Sequence, residues 1–319
     1  MSRKIEAFNI KVRGKILDYR LGRDLDLNSV KIFFQRKKYK VKKLYSGGRH
    51  VLGELERRGI IFFLKLATTE GISAVTRIEY DWNEVFNKQI KRKSSDFWVP
   101  IIYDKGQFQN LFYIITDKFD GHFLSPMSKK GTSLVKLRAN IDKIIEFSKL
   151  IQELQIKDSI RSYSDEQDFR IRFLNKSKSW LHSIPEAVAE EYSIPELFDL
   201  VIRGIEKLEP RPRHGDFTPW HIIKLTTGKL GLIDGEHAMA ESVENYDICF
   251  FLQRVFSVLE EPELAQEILE RLLKNDYEID KLKVIVVARA IGGFLDESLK
   301  KSPNYSQANK FKNWTLSYI

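Results

Sequence analysis

The chain has 319 residues, of which 43% are hydrophobic and 30% charged, a length and balance that predict a globular protein of about two domains or lobes. Its longest apolar stretches, residues 60–64 and 284–288, are far shorter than the roughly 20 residues that span a bilayer. With polar residues interrupting any signal sequence near the N-terminus, we predict a cytoplasmic protein without a membrane span. A single cysteine, Cys249, excludes an internal disulfide.

The net charge of +9 is concentrated at the beginning of the chain. Residues 1–45 contain fourteen Lys or Arg and four Asp or Glu, whereas the remaining residues are almost neutral. A basic segment of this kind can meet nucleic acid or an anionic membrane surface. No RNA-recognition, zinc-knuckle or helix-turn-helix pattern accompanies it, so we interpret it as a solvated strand face and keep nucleic-acid binding as a secondary hypothesis.

The first clear pattern after the basic segment 1–39 is a group of strands. Residues 40–45, 49–56 and 60–67 have strand-like patterns and are separated by glycine turns, which predicts an antiparallel meander. A helix should follow, capped by Ser73, with one apolar face from Val75 to Phe86. Two further strands are predicted over 99–103 and 111–116, joined by a turn at 104–107. The lobe 40–120 is therefore expected to hold five strands and one helix.

Beyond residue 121 the period changes from strands to helices. Apolar residues recur at helical spacing over 134–151, and further helices are predicted at 164–182, 190–207, 244–259, 262–274 and 280–299. A strand hairpin interrupts them, with strands over 222–225 and 230–233 around Thr226-Thr227-Gly228. The segment 121–319 is thus predicted to be a larger, mainly helical lobe.

The hairpin carries the residues from which the chemistry is predicted. His214-Gly215-Asp216 precedes its first strand, and Ile233-Asp234-Gly235-Glu236 follows its second. This arrangement resembles the H-G-D-x-x-x-x-N and I-D-x-E motifs of the aminoglycoside phosphotransferase and choline kinase-like family. The resemblance implies an α+β, bilobal protein-kinase-like fold. It also implies that Asp216 is the catalytic base and that Asp234 binds the metal ion.

One position departs from the family pattern. His221 stands where the family has the asparagine that holds magnesium. Imidazole is a poorer ligand than a carbonyl oxygen for Mg²⁺ and suits softer transition metals. Three readings remain open: an enzyme that depends mainly on the ion at Asp234, an enzyme that uses Mn²⁺, and a catalytically impaired pseudokinase that binds nucleotide or a partner.

The amino-terminal lobe offers a lysine and a carboxylate for nucleotide binding. Lys65 lies in the run 61–67, which resembles the kinase strand whose lysine contacts the α- and β-phosphates of ATP. At 100° per residue, Glu79 borders the apolar face of the following helix whereas Glu84 points away from it. We therefore predict that Glu79 pairs with Lys65.

Four further residues are predicted to bind nucleotide because of where they lie relative to the predicted strands and lobes. Gly47 and Gly48 lie between the first two strands of the meander, where kinases place a glycine-rich loop over the phosphates; a plain hairpin turn explains them equally well. Asp117 and Phe119 occupy the place of the hinge between lobes, where the family binds adenine through the backbone.

Several other residues are predicted to be structural. By the resemblance, His214 should brace the catalytic loop, Glu236 should orient the metal-binding loop and Asp247 should tie a helix to the catalytic loop. Four further histidines form no metal-ligand spacing and are interpreted as surface or loop residues. They occupy positions 50, 122, 182 and 237.

Taken with the resemblance, these residues predict transfer of the γ-phosphoryl group of ATP to a hydroxyl of a small molecule, with Mg²⁺ or Mn²⁺ as cofactor. Beyond Glu186, Glu190 and Glu191, no acid cluster suited to a polycationic aminoglycoside is evident over 125–210. We therefore expect a sugar, an amino alcohol or a glycan precursor, and the basic segment 1–39 is compatible with an anionic acceptor or with peripheral membrane contact.

Overall fold

The computed structural model describes residues 6–126, 134–156 and 158–319. Residues 1–5 of the basic segment and residues 127–133 and 157 of the predicted helical lobe lie outside the described residues. In the amino-terminal half the elements are β1 (Asn9–Val12), β2 (Lys15–Asp18), α1 (Leu27–Arg36), β3 (Lys40–Ser46), β4 (His50–Arg57), β5 (Ile60–Ala67), α2 (Glu70–Gln89), β6 (Phe97–Trp98), β7 (Ile102–Phe108) and β8 (Leu111–Asp117).

The lobe has one antiparallel sheet of five strands in the order β3-β4-β5-β8-β7. Four of them match the predicted ranges closely, whereas the strand predicted over 99–103 is displaced to β7, which runs from Ile102 to Phe108. The predicted turn at 104–107 is wrong, because those residues lie inside β7. The chain turns instead at Gln109 and Asn110, which have φ angles of 49° and 65°, as a two-residue hairpin turn between twisted strands requires. Gly106 marks a close approach: a Cβ there would lie 2.7 Å from the hydroxyl oxygen of Tyr113.

Helix α2 also begins earlier than expected. Thr69 caps it and accepts a hydrogen bond from the amide of Ile72 at 3.3 Å. Ser73 lies within the helix and accepts from the amide of Phe112 on β8 at 3.0 Å. The serine predicted to cap α2 therefore joins the helix to the sheet.

The basic leading segment is folded onto this lobe. Strands β1 and β2 form a hairpin, and Asp26 caps α1 by accepting from the amides of Asn28 and Ser29, both at 3.1 Å. The apolar face of α1, with Val30 and Phe34 fully buried, packs on the sheet. The lobe therefore has a second helix, which covers the side of the sheet that carries Leu55 and Leu64.

The carboxyl-terminal half is mainly helical, as the sequence predicts. Its elements are β9 (Gly121–Phe123), α3 (Val135–Arg138), α4 (Ile141–Gln152), α5 (Phe169–Ser183), α6 (Glu186–Glu191), α7 (Ile194–Gly204), β10 (Pro210–Arg213), β11 (Ile222–Leu225), β12 (Leu230–Leu232), β13 (Met239–Val243), α8 (Tyr246–Ser257), α9 (Pro262–Lys274), α10 (Ile279–Ser298) and α11 (Ser306–Tyr318). Strands β9, β10 and β13 and helix α11 are not marked by a clear pattern in the sequence.

This half also contributes to two short sheets. The predicted hairpin, β11 and β12, pairs with β9 on one side and with β6 on the other. Strands β10 and β13 pair separately and bracket the hairpin in sequence. Around them the helices bury one large apolar core that includes Cys249. Among the described residues, no helix combines the length and apolarity needed to cross a bilayer.

Candidate active site

The centre of the cleft between the two halves is an ammonium group surrounded by carboxylates. Lys65 on β5 faces the cleft, and its Nζ lies 2.6 Å from Oε2 of Glu79, 2.6 Å from Oδ1 of Asp234 and 2.8 Å from Oε1 of Glu236. Burial alone would lower the pKa of Lys65, but the three carboxylates outweigh it and raise that pKa well above its usual value. The lysine is therefore charged and joins both lobes.

Helix α2 supplies Glu79 from the buried face that its apolar residues define. The side chain is only 5% exposed. Burial raises the pKa of Glu79, whereas the ammonium of Lys65 opposes that rise. The helical angle predicts Glu79, and not Glu84, on this face, and the structure brings Glu79 to Lys65.

Asp234 follows β12 and adopts a left-handed backbone with φ of 70°, a conformation in which aspartate is tolerated better than most residues. Although burial would raise its pKa, Lys65 and His221 hold the pKa of this carboxyl below its usual range. Asp234 is therefore ionised. Its two oxygens face different partners, since Oδ1 contacts Lys65 and Oδ2 faces His221.

Glu236, predicted only to orient the metal-binding loop, also contacts Lys65, Arg49 and His50. It is 1% exposed and contacts Arg49 through Nη2 and His50 through Nε2, the latter at 3.0 Å. Although burial would raise its pKa, Lys65 and His50 hold that pKa well below the usual range. A series of alternating charges thus continues from the lysine to the turn that precedes β4.

The interpretation of His50 as a surface or loop residue is wrong. His50 begins β4, is 6% exposed and lies between Glu236 and the hydroxyl of Thr76, each 3.0 Å from its Nε2. Burial lowers its pKa although Glu236 opposes the shift. No local spacing marks Arg49 or His50 in the sequence, because their shared partner Glu236 lies 187 residues beyond Arg49.

The segment 214–216 is held by the helix that follows the hairpin. Asp247, in the first turn of α8, accepts hydrogen bonds from the amides of His214 at 2.7 Å and Gly215 at 2.8 Å. Burial raises the pKa of Asp247 to about 6, although the two amides oppose the shift. The structural contact expected of Asp247 is therefore present.

Gly215 is required by both the backbone and its neighbour. Its φ is +85°, and a Cβ at this position would lie 2.1 Å from the carbonyl oxygen of His237. Only glycine fits such a turn without displacing the chain. This turn places Asp216 directly after a buried segment, with its side chain reaching the cleft.

His221 bridges Asp216 and Asp234. Its Nδ1 lies 3.0 Å from the carbonyl oxygen of Asp216 and 3.6 Å from Oδ2 of that residue, while its Nε2 lies 3.4 Å from Oδ2 of Asp234. A carbonyl oxygen only accepts, so Nδ1 carries a proton and donates. Burial would lower the pKa of His221, but Asp216 and Asp234 outweigh it and raise that pKa.

The hairpin explains why these three residues meet. The amide of Ile233, which precedes Asp234, donates to the carbonyl oxygen of His221 at 3.1 Å, and Ile222 pairs with Leu232. The two ends of the hairpin are thereby fixed beside each other. Residues on either side of the hairpin come within reach of one ion.

The donor atoms fit a divalent metal ion. One ligand atom each from Asp216, His221 and Asp234 lies within 4.8 Å of the others, and the same holds for Glu79, Asp234 and Glu236. The second group already neutralises Lys65, so the first is the better metal site. Asp216 is the predicted base, so Asp234 and His221 are the ligands that this group offers. A carboxylate with an imidazole suits Mn²⁺ at least as well as Mg²⁺, which prefers oxygen ligands.

The predicted glycine-rich loop forms a tight turn at the edge of the cleft. The amide of Gly47 donates to the carbonyl oxygen of His50 at 2.7 Å, and Gly48 has a φ of +76°. Arg49 follows directly and contacts Glu236. The turn is therefore connected to the carboxylates around Lys65 through one side chain.

The two predicted hinge residues, Asp117 and Phe119, differ in whether their backbone amides are already hydrogen-bonded. Asp117 ends β8; its amide donates to the carbonyl oxygen of Ile101 at 3.1 Å, and its carboxylate accepts from the amide of Ile101 at 2.7 Å and pairs with Arg92. Within the described part of the chain, the amide of Phe119 donates to no backbone carbonyl. Phe119 is thus the freer of the two for an adenine base.

Comparisons with known proteins agree with this architecture. No family model and no curated protein matches the sequence. Among solved structures, aminoglycoside phosphotransferase APH(4)-Ia is similar over 91% of this chain and 98% of its own, with a TM-score of 0.68 and 13% identity. A thermostable mutant of it, in a ternary complex with ADP and hygromycin B, has a TM-score of 0.67 and 14% identity over 90% of this chain and 98% of its own.

A third structure, the GDP and kanamycin complex of APH(2")-IIIa, has a TM-score of 0.58 and 13% identity over 91% of this chain and 96% of its own. At these identities the likeness concerns the fold. The chain has the α+β, protein-kinase-like fold of the aminoglycoside phosphotransferases, as the motifs of the hairpin predict.

Proposed function

We propose that this protein transfers the γ-phosphoryl group of ATP to a hydroxyl group of a small molecule, such as a sugar, an amino alcohol or a glycan precursor. The observation that carries the proposal is that Nζ of Lys65 lies 2.6 Å from a carboxylate oxygen of both Glu79 and Asp234. The imidazole of His221 lies between Asp234 and Asp216. Phosphoryl transfer depends mainly on positioning and electrostatics, and this cluster supplies both.

Each residue has a separate task. The ammonium of Lys65, fixed by Glu79, would bind the α- and β-phosphates, and the turn at Gly47 and Gly48 would approach them from above. The backbone near Asp117 and Phe119 would hold adenine, with the free amide at Phe119. A Mg²⁺ or Mn²⁺ ion held by Asp234 and His221 would neutralise the charge that develops on the phosphate oxygens.

The proposed reaction at Asp216 requires only ATP and the acceptor hydroxyl. The acceptor oxygen forms a bond to the γ-phosphorus while the bond between that phosphorus and the β–γ bridging oxygen breaks, releasing ADP. The proton of the acceptor hydroxyl passes to the Asp216 carboxylate. Because Nδ1 of His221 donates to the carbonyl oxygen of Asp216, the imidazole also fixes the loop that carries the base.

A second candidate function rests on His221 itself. Its ring lies between two carboxylates that a kinase needs for metal binding and catalysis. A pseudokinase that binds nucleotide without turnover would have this arrangement. Binding and turnover must therefore be measured separately.

The experiment compares the native protein with Asp216→Asn, Asp234→Asn and the control Asp276→Asn, which changes an exposed aspartate between α9 and α10. ATP with Mg²⁺ or Mn²⁺ at a hundredfold excess over its dissociation constant should stabilise a binding protein by about 2.7 kcal/mol. We expect Asp234→Asn to lose this stabilisation and Asp216→Asn to keep it.

ADP formation then separates the two candidates. With an enzyme, Asp216→Asn should lower the rate of ADP formation at least about a hundredfold, in the range that general bases contribute, and Asp276→Asn should not change it. Metal-dependent stabilisation without ADP formation, over a panel of hydroxyl acceptors, would favour the pseudokinase. The absence of any nucleotide-dependent stabilisation would contradict both.

A further inference from the structure

Residues 18–24, here called the strap, pass directly over the glycine turn. Gly22 is packed so closely that a Cβ there would lie 2.0 Å from the carbonyl oxygen of Gly48. Arg23 donates through its amide to Oγ1 of Thr68 at 3.3 Å and through Nε to the carbonyl oxygen of Thr68 at 2.9 Å. Near its start, the carbonyl oxygen of Tyr19 accepts from Nε of Arg49 at 2.9 Å. The strap is therefore hydrogen-bonded to the rest of the lobe near both ends.

A cavity of about 460 Å³ lies between the strap and the turn, lined by residues 20–24 and 47–49. This volume is in the range of small-molecule sites, roughly 300–1,000 Å³. One wall is residues 20–24 and the other is residues 47–49, and helix α1 and strand β3 lie between these segments in the chain. The cavity therefore depends on the basic leading segment, whose charge is compatible with an anionic acceptor.

The lining is strongly cationic. It contains Arg20, Arg23 and Arg49 against a single carboxylate, that of Asp24. Of the three guanidinium groups, only that of Arg49 forms an ion pair within the described residues, with Glu236. Nε of Arg20 is buried without a hydrogen-bond partner in that same part of the chain. An anion in the cavity would give Arg20 and Arg23 the charged partner that the described residues do not supply.

The cavity adjoins the centre where phosphoryl transfer is proposed. Arg49 lines it and contacts Glu236, whose other oxygen lies 2.8 Å from Nζ of Lys65. Arg49 also donates through Nε to the carbonyl oxygen of Tyr19 at 2.9 Å. One guanidinium group thus connects the cavity, the strap and the carboxylates around Lys65.

A second group of cations, which includes Lys176, lies near the hydroxyl group of Tyr19. Tyr19 OH and Nζ of Lys176 both donate to the carbonyl oxygen of Ala7, at 3.3 and 2.5 Å. The Tyr19 ring lies 5.7 Å from that of His237, whose carbonyl oxygen packs against Gly215. Lys176 forms no ion pair within the described residues; burial and the nearby cations Arg213 and Arg289 lower its pKa to about 8.

We propose that the cavity between the strap and the glycine turn binds the phosphate group of an acceptor that is already phosphorylated, with Arg20 and Arg23 as its ligands. The inference rests on the proposed function, because it assigns the anion to the acceptor of that reaction. Guanidinium groups bind phosphate through paired, charge-assisted hydrogen bonds. A polycationic acceptor, in contrast, would be repelled from this side of the cleft.

The test uses inorganic phosphate as the probe and calorimetry of the full chain, with the nucleotide site saturated by AMP-PNP and Mn²⁺. The variant Arg20→Gln/Arg23→Gln removes two cations from the cavity. Its matched control, Arg13→Gln/Lys15→Gln, removes two exposed cations from the neighbouring β1–β2 hairpin. All titrations are made at one ionic strength, because exposed charges are screened by salt.

We expect one phosphate to bind the native protein and the control with equal affinity. In the cavity variant the affinity should fall at least about tenfold, since charge-assisted hydrogen bonds are lost, whereas the affinity for AMP-PNP should stay within about threefold. The absence of phosphate binding to the native protein, or equal binding to the cavity variant, would overturn the proposal. Competition between AMP-PNP and phosphate would also overturn it, because the cavity would then belong to the nucleotide.

The measurements distinguish a failure of this inference from a failure of the proposed function. If phosphate binding falls in the cavity variant but AMP-PNP does not bind the native protein, the phosphate site stands and the proposed phosphotransferase fails. If AMP-PNP binds and ATP is turned over but phosphate does not bind, the phosphotransferase stands and the phosphorylated acceptor fails.

Discussion

Nε2 of His221 lies 3.4 Å from Oδ2 of Asp234. This contact places an imidazole where the resemblance predicts a carboxamide, directly beside the proposed metal ligand. Because Nδ1 of the same ring donates to the carbonyl oxygen of Asp216, Nε2 is the nitrogen left to face a metal ion. Metal choice should therefore depend on this side chain.

We expect His221→Asn to change the metal preference. Carbonyl oxygen is a better ligand for Mg²⁺ than imidazole nitrogen, which favours Mn²⁺. The ratio of rates of ADP formation with Mn²⁺ and Mg²⁺ should fall at least about tenfold in the variant. The control His182→Asn, on α5, should keep the native ratio; an unchanged ratio in His221→Asn would place the ion elsewhere.

Lys65 should stabilise the fold as well as bind phosphate. Its removal in Lys65→Met would leave Glu79, Asp234 and Glu236 facing one another without the ammonium that joins them. Breaking a buried ion pair by removing one partner costs about 3–5 kcal/mol, so we expect a loss of that size in the free energy of unfolding. Chemical denaturation at pH 7 measures it.

The matched control is Lys42→Met. Lys42 is exposed and lies 3.2 Å from Glu56, and surface ion pairs contribute about 0–1 kcal/mol. An equal, small loss in both variants would show that the buried carboxylates are protonated or rearranged when the lysine is absent.

Gly215 and Gly228 allow backbone strain to be separated from steric conflict. Both have φ above +80°, but a Cβ at Gly215 would meet the carbonyl oxygen of His237 at 2.1 Å, whereas nothing lies within 4 Å of one at Gly228. Left-handed alanine costs about 1–2 kcal/mol, and overpacking adds about 1–3 kcal/mol.

We therefore expect Gly215→Ala to lower the free energy of unfolding by about 2–5 kcal/mol, the sum of both effects, and to lower the rate of ADP formation, because it displaces Asp216. Gly228→Ala should cost only the backbone strain, about 1–2 kcal/mol, and leave the rate unchanged. Equal costs in denaturation would mean that the segment 214–216 moves freely enough to accept the methyl group.

His214 should make the protein sensitive to acid. The ring is fully buried, and burial together with the charge of His221 lowers its pKa from 6.5 to about 3. The unfolded chain takes up the proton below pH 6.5 and the folded chain only near pH 3, so the stability from this group is complete above pH 6.5 and is lost progressively as the pH falls. Between pH 7 and pH 5 the loss is about 2 kcal/mol.

Denaturation curves of the native protein and His214→Gln at pH 7 and pH 5 measure this contribution as a difference. Asp247 has the opposite effect, since its raised pKa of about 6 favours the folded state as the pH falls, but it is present in both proteins and cancels. We expect the pH change to destabilise the variant by about 2 kcal/mol less than the native protein. Equal losses would show that His214 is not kept neutral by its burial.

The sequence was sufficient for the parts of this protein that depend on local pattern. Four strands of the amino-terminal sheet and the order of the larger helices follow from apolar periodicity, and the hairpin carries motifs long enough to indicate a fold. The pairing of Lys65 with Glu79 could be anticipated because a helical angle decides which carboxylate faces the sheet.

The tertiary structure alone decided the contacts between segments far apart in sequence. Glu236 meets both Arg49, 187 residues before it, and His50, and residues 18–24 lie over the glycine turn although no pattern marks either contact. Apolar periodicity predicts which face of a helix or strand is buried. It does not predict which charged residue from a distant segment packs against that face. The cationic cavity exists because packing brings two distant segments together. The buried ion pairs form because a charge in a medium of low dielectric requires a partner.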